Sequence, residues 1–93
     1  MMRISVVESS SRAVTLRLEG EVKGGWVGEL RQSCESVLSR GIVLALDMTG
    51  VSFIDHEGVA LFHILRDRDV ILRNASSFVA EILGAPNDGR RDK

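Results

Sequence analysis

The sequence predicts an α/β fold built on a mixed four-stranded sheet, in the chain order β-β-α-β-α-β-α. Strands two to four are expected to be parallel, with strand one antiparallel at an edge. Three observations predict it. AVTLRLEGEV alternates cleanly, with Val14, Leu16 and Leu18 on one face and Thr15, Arg17 and Glu19 on the other, as in a half-buried strand. From about Gly25 the period changes, and Val27, Leu30, Cys34, Val37 and Leu38 recur at helical spacing. IVLALDM is then apolar on both alternating faces, the pattern of a central parallel strand covered on both sides. Strand-helix-strand connections favour parallel pairing with a right-handed crossover.

The elements follow in order. RISVV alternates loosely, Ile4 and Val6 against Arg3 and Ser5, and SSSR turns the chain into the second strand, so the first two strands form an antiparallel hairpin. Gly20, Gly24 and Gly25 interrupt the pattern before helix one, and Gly41 stands where a helix C-terminal glycine belongs. After the third strand, VALFHIL is too densely apolar for an exposed helix, and the charges from Arg66 to Asp69 end it. VILRN supplies a short fourth strand. Ser76 or Ser77 caps a last helix in which Phe78, Val79, Ile82 and Leu83 are apolar. One domain is expected over residues 1–85, with a loose polar tail at 86–93.

Composition bounds the function. Ninety-three residues suffice for one small domain. A net charge of -1 and a pI of about 6.1 give no basic excess of the kind nucleic-acid binding needs. A single cysteine, Cys34, forms no intrachain disulfide and fits a reducing compartment. The longest uninterrupted aliphatic run, IVLAL, falls far short of the roughly 20 residues that span a bilayer. A cytoplasmic protein without membrane insertion is expected, either monomeric or weakly homodimeric through the exposed edge of strand one.

Candidate catalytic patterns fail on spacing. GEVKGGWVG lies between a strand and a helix, where phosphate loops occur. It matches neither G-x-G-x-x-G nor a P-loop ending in G-K-[ST], because Lys23 precedes the glycine pair. Asp55, His56 and Glu57 are consecutive and point in different directions on a helix, so with His63 they do not readily converge on one metal ion. Ser52, Asp55 and His56 contain the letters of a hydrolytic triad, but triad members come from separated segments. Cys34 lies on the apolar stripe of helix one and reads as a small core residue. Trp26 is expected to cover the end of the core, with an interface anchor as the alternative. No enzyme, cofactor or metal site is expected.

What remains is the strand-to-helix junction in FIDHEGVAL, residues 53–61. Asp55 suits an N-cap whose carboxylate accepts from the backbone N–H of Glu57 or Gly58. Ile54 and Val59 stand at the positions of a hydrophobic staple, and Gly58 permits close approach to the backbone. With the preceding LDMTGVS, the run L-D-x-T-G-V-x-F-I-D-x-x-G-V-A-L resembles the STAS domain family. That family includes bacterial anti-sigma factor antagonists and the small STAS subunit of ABC-type lipid transporters. The resemblance covers most of the chain and implies a STAS-like sheet and a protein-binding module of transcription signalling.

In the antagonists the residue after the junction Asp is a Ser or Thr. An anti-sigma factor with kinase activity phosphorylates it, and the added charge blocks docking. Here the position holds His56, followed by Glu57, and neither accepts phosphate from a Ser/Thr kinase. Glu57 instead places a fixed negative charge one residue away, where the helix dipole stabilises it. Lys23 stands where the family often has an acidic residue, and the distance from Gly58 to strand four implies a short second helix. The resemblance implies a minimal, non-phosphorylatable member that docks an anti-sigma factor through Thr49, Ser52, Asp55, His56, Glu57 and Gly58. One alternative is an accessory subunit on the ATPase of an ABC-type lipid transporter. Another is a small anion or nucleotide sensor using the helix N-terminus.

Overall fold

A computed structural model of the chain describes residues 2–84; the expected tail at 86–93 lies outside them. Strands β1 (Met2–Ser9), β2 (Ala13–Val22), β3 (Val43–Ile54) and β4 (Ile71–Arg73) form one sheet in that spatial order. Helices α1 (Gly25–Leu38), α2 (His56–Asp67) and α3 (Ser77–Ile82) connect or follow them. β1 pairs antiparallel with β2, and β2, β3 and β4 are parallel, as the crossover argument requires.

One core joins the layers. Val14, Leu16 and Leu18 of β2 and Leu44, Leu46 and Met48 of β3 meet Val27, Leu30, Cys34 and Val37 of α1. Leu61, Phe62 and Leu65 of α2 and Val79 of α3 complete it. Burying each such side chain contributes about 1.5–3 kcal/mol. The stripe expected on α1 is the buried one, with Leu38 half-buried at its end. Burial pushes the Cys34 thiol up to about 12, so it is a core residue without thiolate character.

The two-sided cover expected for β3 is not found. All three helices lie on one face, and Val43 is 53% exposed on the other. Ala45 is buried on that open face because the register sets Thr15 on one side of it and Ile71 on the other, and its side chain is small. The long apolar run therefore combines one covered face, Ile42, Leu44 and Leu46, with an exposed valine and a small alanine on the open face. The strand runs through Thr49-Gly50 without a turn. β3 continues to Ile54, with register shifts against β2 opposite Arg17/Glu19 and Gly20/Glu21. Gly50 is required there, since a Cβ would stand 2.8 Å from Glu19 Cγ and 3.2 Å from the Leu18 carbonyl oxygen.

Helix ends follow local chemistry. The Ser76 side chain accepts from the Val79 N–H at 3.1 Å, choosing between the two candidate serines for the α3 cap. Gly41 adopts φ +71 after α1 and donates to the Leu38 carbonyl at 3.0 Å. α2 runs for 12 residues, about the mean helix length rather than a short one. Its Ile64, and Phe78 of α3, are exposed at 48% and 56%, so the apolar residues expected inside those helices are not all core. The His63 ring Nε2 lies 2.9 Å from the Leu83 carbonyl oxygen and ties α2 to the end of α3. Among the described residues no helix is long and apolar enough to cross a membrane.

Candidate functional site

The junction sits at the C-terminal ends of the two central parallel strands, β2 and β3. Val22 and Ile54 are register partners there, and the Asp55 N–H donates to the Val22 carbonyl at 3.1 Å. Asp55 is extended (φ -84, ψ 178) and caps α2, its Oδ1 accepting from the Gly58 N–H at 2.8 Å. Its second oxygen has a partner that the sequence did not reveal. Oδ2 accepts from the Gly24 N–H at 3.0 Å, across 31 positions of chain. Gly24 is the N-cap of α1 and has no side chain to cap that helix. One carboxylate thus fixes the first turn of α2 and the β2–α1 loop together. The N–H groups of Gly24 and Gly58, together with the nearby His56, hold it below the usual carboxylate range.

Gly58 is buried. A Cβ there would stand 2.7 Å from Ile54 Cγ2 and 3.0 Å from the Val22 carbonyl oxygen. The close approach expected at Gly58 is therefore made by the protein's own strands, and its role is to seat the helix. His56 and Glu57, by contrast, are exposed on the first turn, as is Ser52 just before the junction. Trp26 is 39% exposed and Phe53 38%. Trp26 therefore does not simply close the core: it stands in the first turn of α1 two residues past Gly24, while Phe53 lies two residues before Asp55. Lys23 pairs with Glu21 at 3.5 Å, an exposed contact of little energetic weight.

Thr49 belongs elsewhere. Five residues of strand lie between it and Asp55, a span of roughly 20 Å along β3. It is engaged by Asp47, whose Oδ1 accepts from the Thr49 hydroxyl at 2.6 Å and its N–H at 3.0 Å. The Asn74 side chain donates to the same oxygen at 3.2 Å, and Arg17 Nε lies 3.4 Å from Oδ2. Asp47 thereby ties β2, the irregular part of β3 and the end of β4, where Asn74 adopts φ +61. The Thr49 side-chain and backbone bonds, then Asn74, then Arg17, bring its pKa to about 2.

A carboxyl held low when folded stabilises the fold above its unfolded pKa of about 3.9, and that contribution is lost as pH falls towards 2. Asp47→Asn is expected to lower the melting temperature at pH 7 and to flatten part of its decline between about pH 4 and pH 2. The remaining decline comes from groups such as Asp55. Melting curves across that range check it.

The arrangement offers little for catalysis. Both oxygens of Asp55 are committed to backbone amides, and among the described residues no group of three or more His, Cys, Asp and Glu side chains is placed to hold a metal ion. It offers instead a rigid, exposed helix start.

Comparison with known proteins agrees with this architecture. A family model described as "Mlab, STAS domain" matches residues 5–86. No curated protein matches the chain. Among solved structures, the anti-sigma factor antagonist SpoIIAA in its unphosphorylated form superposes with a TM-score of 0.70 at 20% identity, over 96% of this chain and 88% of that one. An uncharacterised Shewanella loihica protein with a SpoIIAA-like fold gives 0.56 at 14% identity, over 96% and 83%. These likenesses are of fold.

Proposed function

The chain belongs to the STAS domain family, and from that premise we propose that it is a protein-docking module whose contact surface is the N-terminus of α2. His56, Glu57 and Ser52 form the exposed contacts, and Asp55 and Gly58 hold them in place. The observation that carries the reading is the Asp55 carboxylate, which locks the start of α2 and the β2–α1 loop into one rigid surface. The module works without a hydroxyl switch, because His56 stands where a phosphorylatable residue is expected and Glu57 follows it. Its partner is an anti-sigma factor, and the module acts in the bacterial cytoplasm in the control of transcription, as a binding protein rather than an enzyme. A second reading, docking on the ATPase of an ABC-type lipid transporter, is favoured by the description of the matching family as an Mlab STAS domain.

An anion or nucleotide site at the same place is disfavoured. The Gly58 N–H that would bind the ligand already serves Asp55, and Glu57 adds like charge. The test is capture of partners from the host on the immobilised protein, identification of the retained chain, and titration of that purified chain with and without ATP. Equal affinity in both titrations is expected. Binding abolished by ATP, with phosphate found on the protein, would overturn the unswitched reading. Recovery of a transporter ATPase in place of an anti-sigma factor would decide for the second partner.

A further inference from the structure

The outer edge of β1 points to a second copy of this chain. β1 is a terminal strand of the sheet, eight residues long, and it contains neither the proline nor the lysine that commonly protects a free edge. Val6 and Val7 are exposed on it at 64% and 44%.

Its register with β2 carries a symmetry that its sequence spacing hides. Arg3 pairs with Glu19, Ser5 with Arg17 and Glu8 with Thr15. Measured on β2, Arg3 and Glu8 therefore stand two positions to either side of Ser5. By the same measure Ile4, opposite Leu18, and Val6, opposite Leu16, stand one position to either side. The bulge between Val6 and Glu8 produces this equality, because without the extra residue Glu8 would fall on the other face of the sheet.

Directly opposed residues of an antiparallel pair share a face, and two copies related by a two-fold axis must obey the same rule. An axis through Ser5 satisfies it. Arg3 then faces Glu8 of the second copy on the open side of the sheet, and Ile4 faces Val6 of the second copy on the helix side. Each of these pairs occurs twice, with Ser5 against Ser5 at the centre. Glu8 already accepts from the Thr15 hydroxyl at 3.5 Å and keeps further acceptor capacity for an arginine.

We propose that the protein forms a homodimer by antiparallel β1–β1 pairing about Ser5, giving a continuous eight-stranded sheet held by two reciprocal Arg3–Glu8 contacts. β2 lies between this edge and β3, so the dimer leaves the start of α2 open.

Sedimentation velocity of the full chain from about 10 µM to about 1 mM tests it. A concentration-dependent dimer is expected for the wild type. R3E and E8R should each weaken it by about tenfold or more, because each sets like charges opposite one another twice, and R3E/E8R together should restore it. V6K, at an exposed position, should abolish it independently. Circular dichroism verifies the fold of every variant, and amide exchange in β1 should slow with concentration in the wild type and the double variant but not in the single variants. A monomer across the whole range overturns the proposal. So does a dimer indifferent to R3E, E8R and V6K, or one that the double variant fails to restore.

Discussion

Gly58→Val is expected to lower the melting temperature by more than about 10 °C, corresponding to about 3 kcal/mol at the upper end of overpacking costs. At Gly58 the first turn of α2 lies against β2 and β3 with no room for a side chain. The nearest atoms are the buried Ile54 side chain, at 2.7 Å from a new Cβ, and the Val22 carbonyl oxygen, at 3.0 Å. That carbonyl is held in turn by the Asp55 N–H. Neither gives way without disturbing the cap. A glycine-to-alanine change gains about 0.8–1.0 kcal/mol of helix propensity, too little to offset such a clash. Gly28 supplies the control. A Cβ there meets nothing within 4 Å, so Gly28→Ala in α1 should raise the melting temperature by a few degrees. Thermal melts of the two variants beside the wild type check both signs. A Gly58→Val protein as stable as the wild type would mean that α2 does not pack on Val22 and Ile54 as described.

The second large effect is expected in binding. Glu57 is exposed in the first turn of α2, whereas Asp55 caps the helix and Gly58 is buried against Ile54 and Val22. Reversing its charge in Glu57→Lys loses a favourable interaction with the helix dipole, about 0.3–1 kcal/mol, which leaves the protein folded. At a docking surface the same reversal is worth more, since a like charge set against a complementary partner costs several kcal/mol. Partner affinity should fall at least tenfold in the double variant His56→Ala/Glu57→Lys. The loss should be larger at low salt, where screening is weak. A binding loss that tracks the small stability loss would instead assign these residues to the helix cap alone.

Local chemistry was legible in the sequence, and long-range geometry was not. Asp55 as a cap on Gly58, the α1 stripe and the positive φ at Gly41 all follow from residues a few positions apart. The Asp55–Gly24 bond spans 31 positions, and only the β2–β3 register creates it. The β3–β4 pairing, with Asp47 opposite Arg73, brings Asn74 to Asp47, and the local Asp47–Thr49 bonds keep Thr49 on that part of the strand, away from the junction. Thr49 and Asp55 share one motif and lie close in sequence, yet an extended strand separates them. Exposure misled in both directions. Trp26, Phe78 and Ile64 are apolar by type yet solvent-facing, while Ala45 is buried on an open face by its strand neighbours. The reciprocal spacing of Arg3 and Glu8 about Ser5 is invisible until the bulge in β1 is known.

We propose that the start of α2 docks a protein partner without a phosphorylation switch. Parallel capture from the native host on wild-type and His56→Ala/Glu57→Lys baits, each verified as folded, tests it most directly. The expected result is a chain retained by the wild type and lost from the variant, with no phosphate on either bait. Identical capture profiles from the two baits would contradict it.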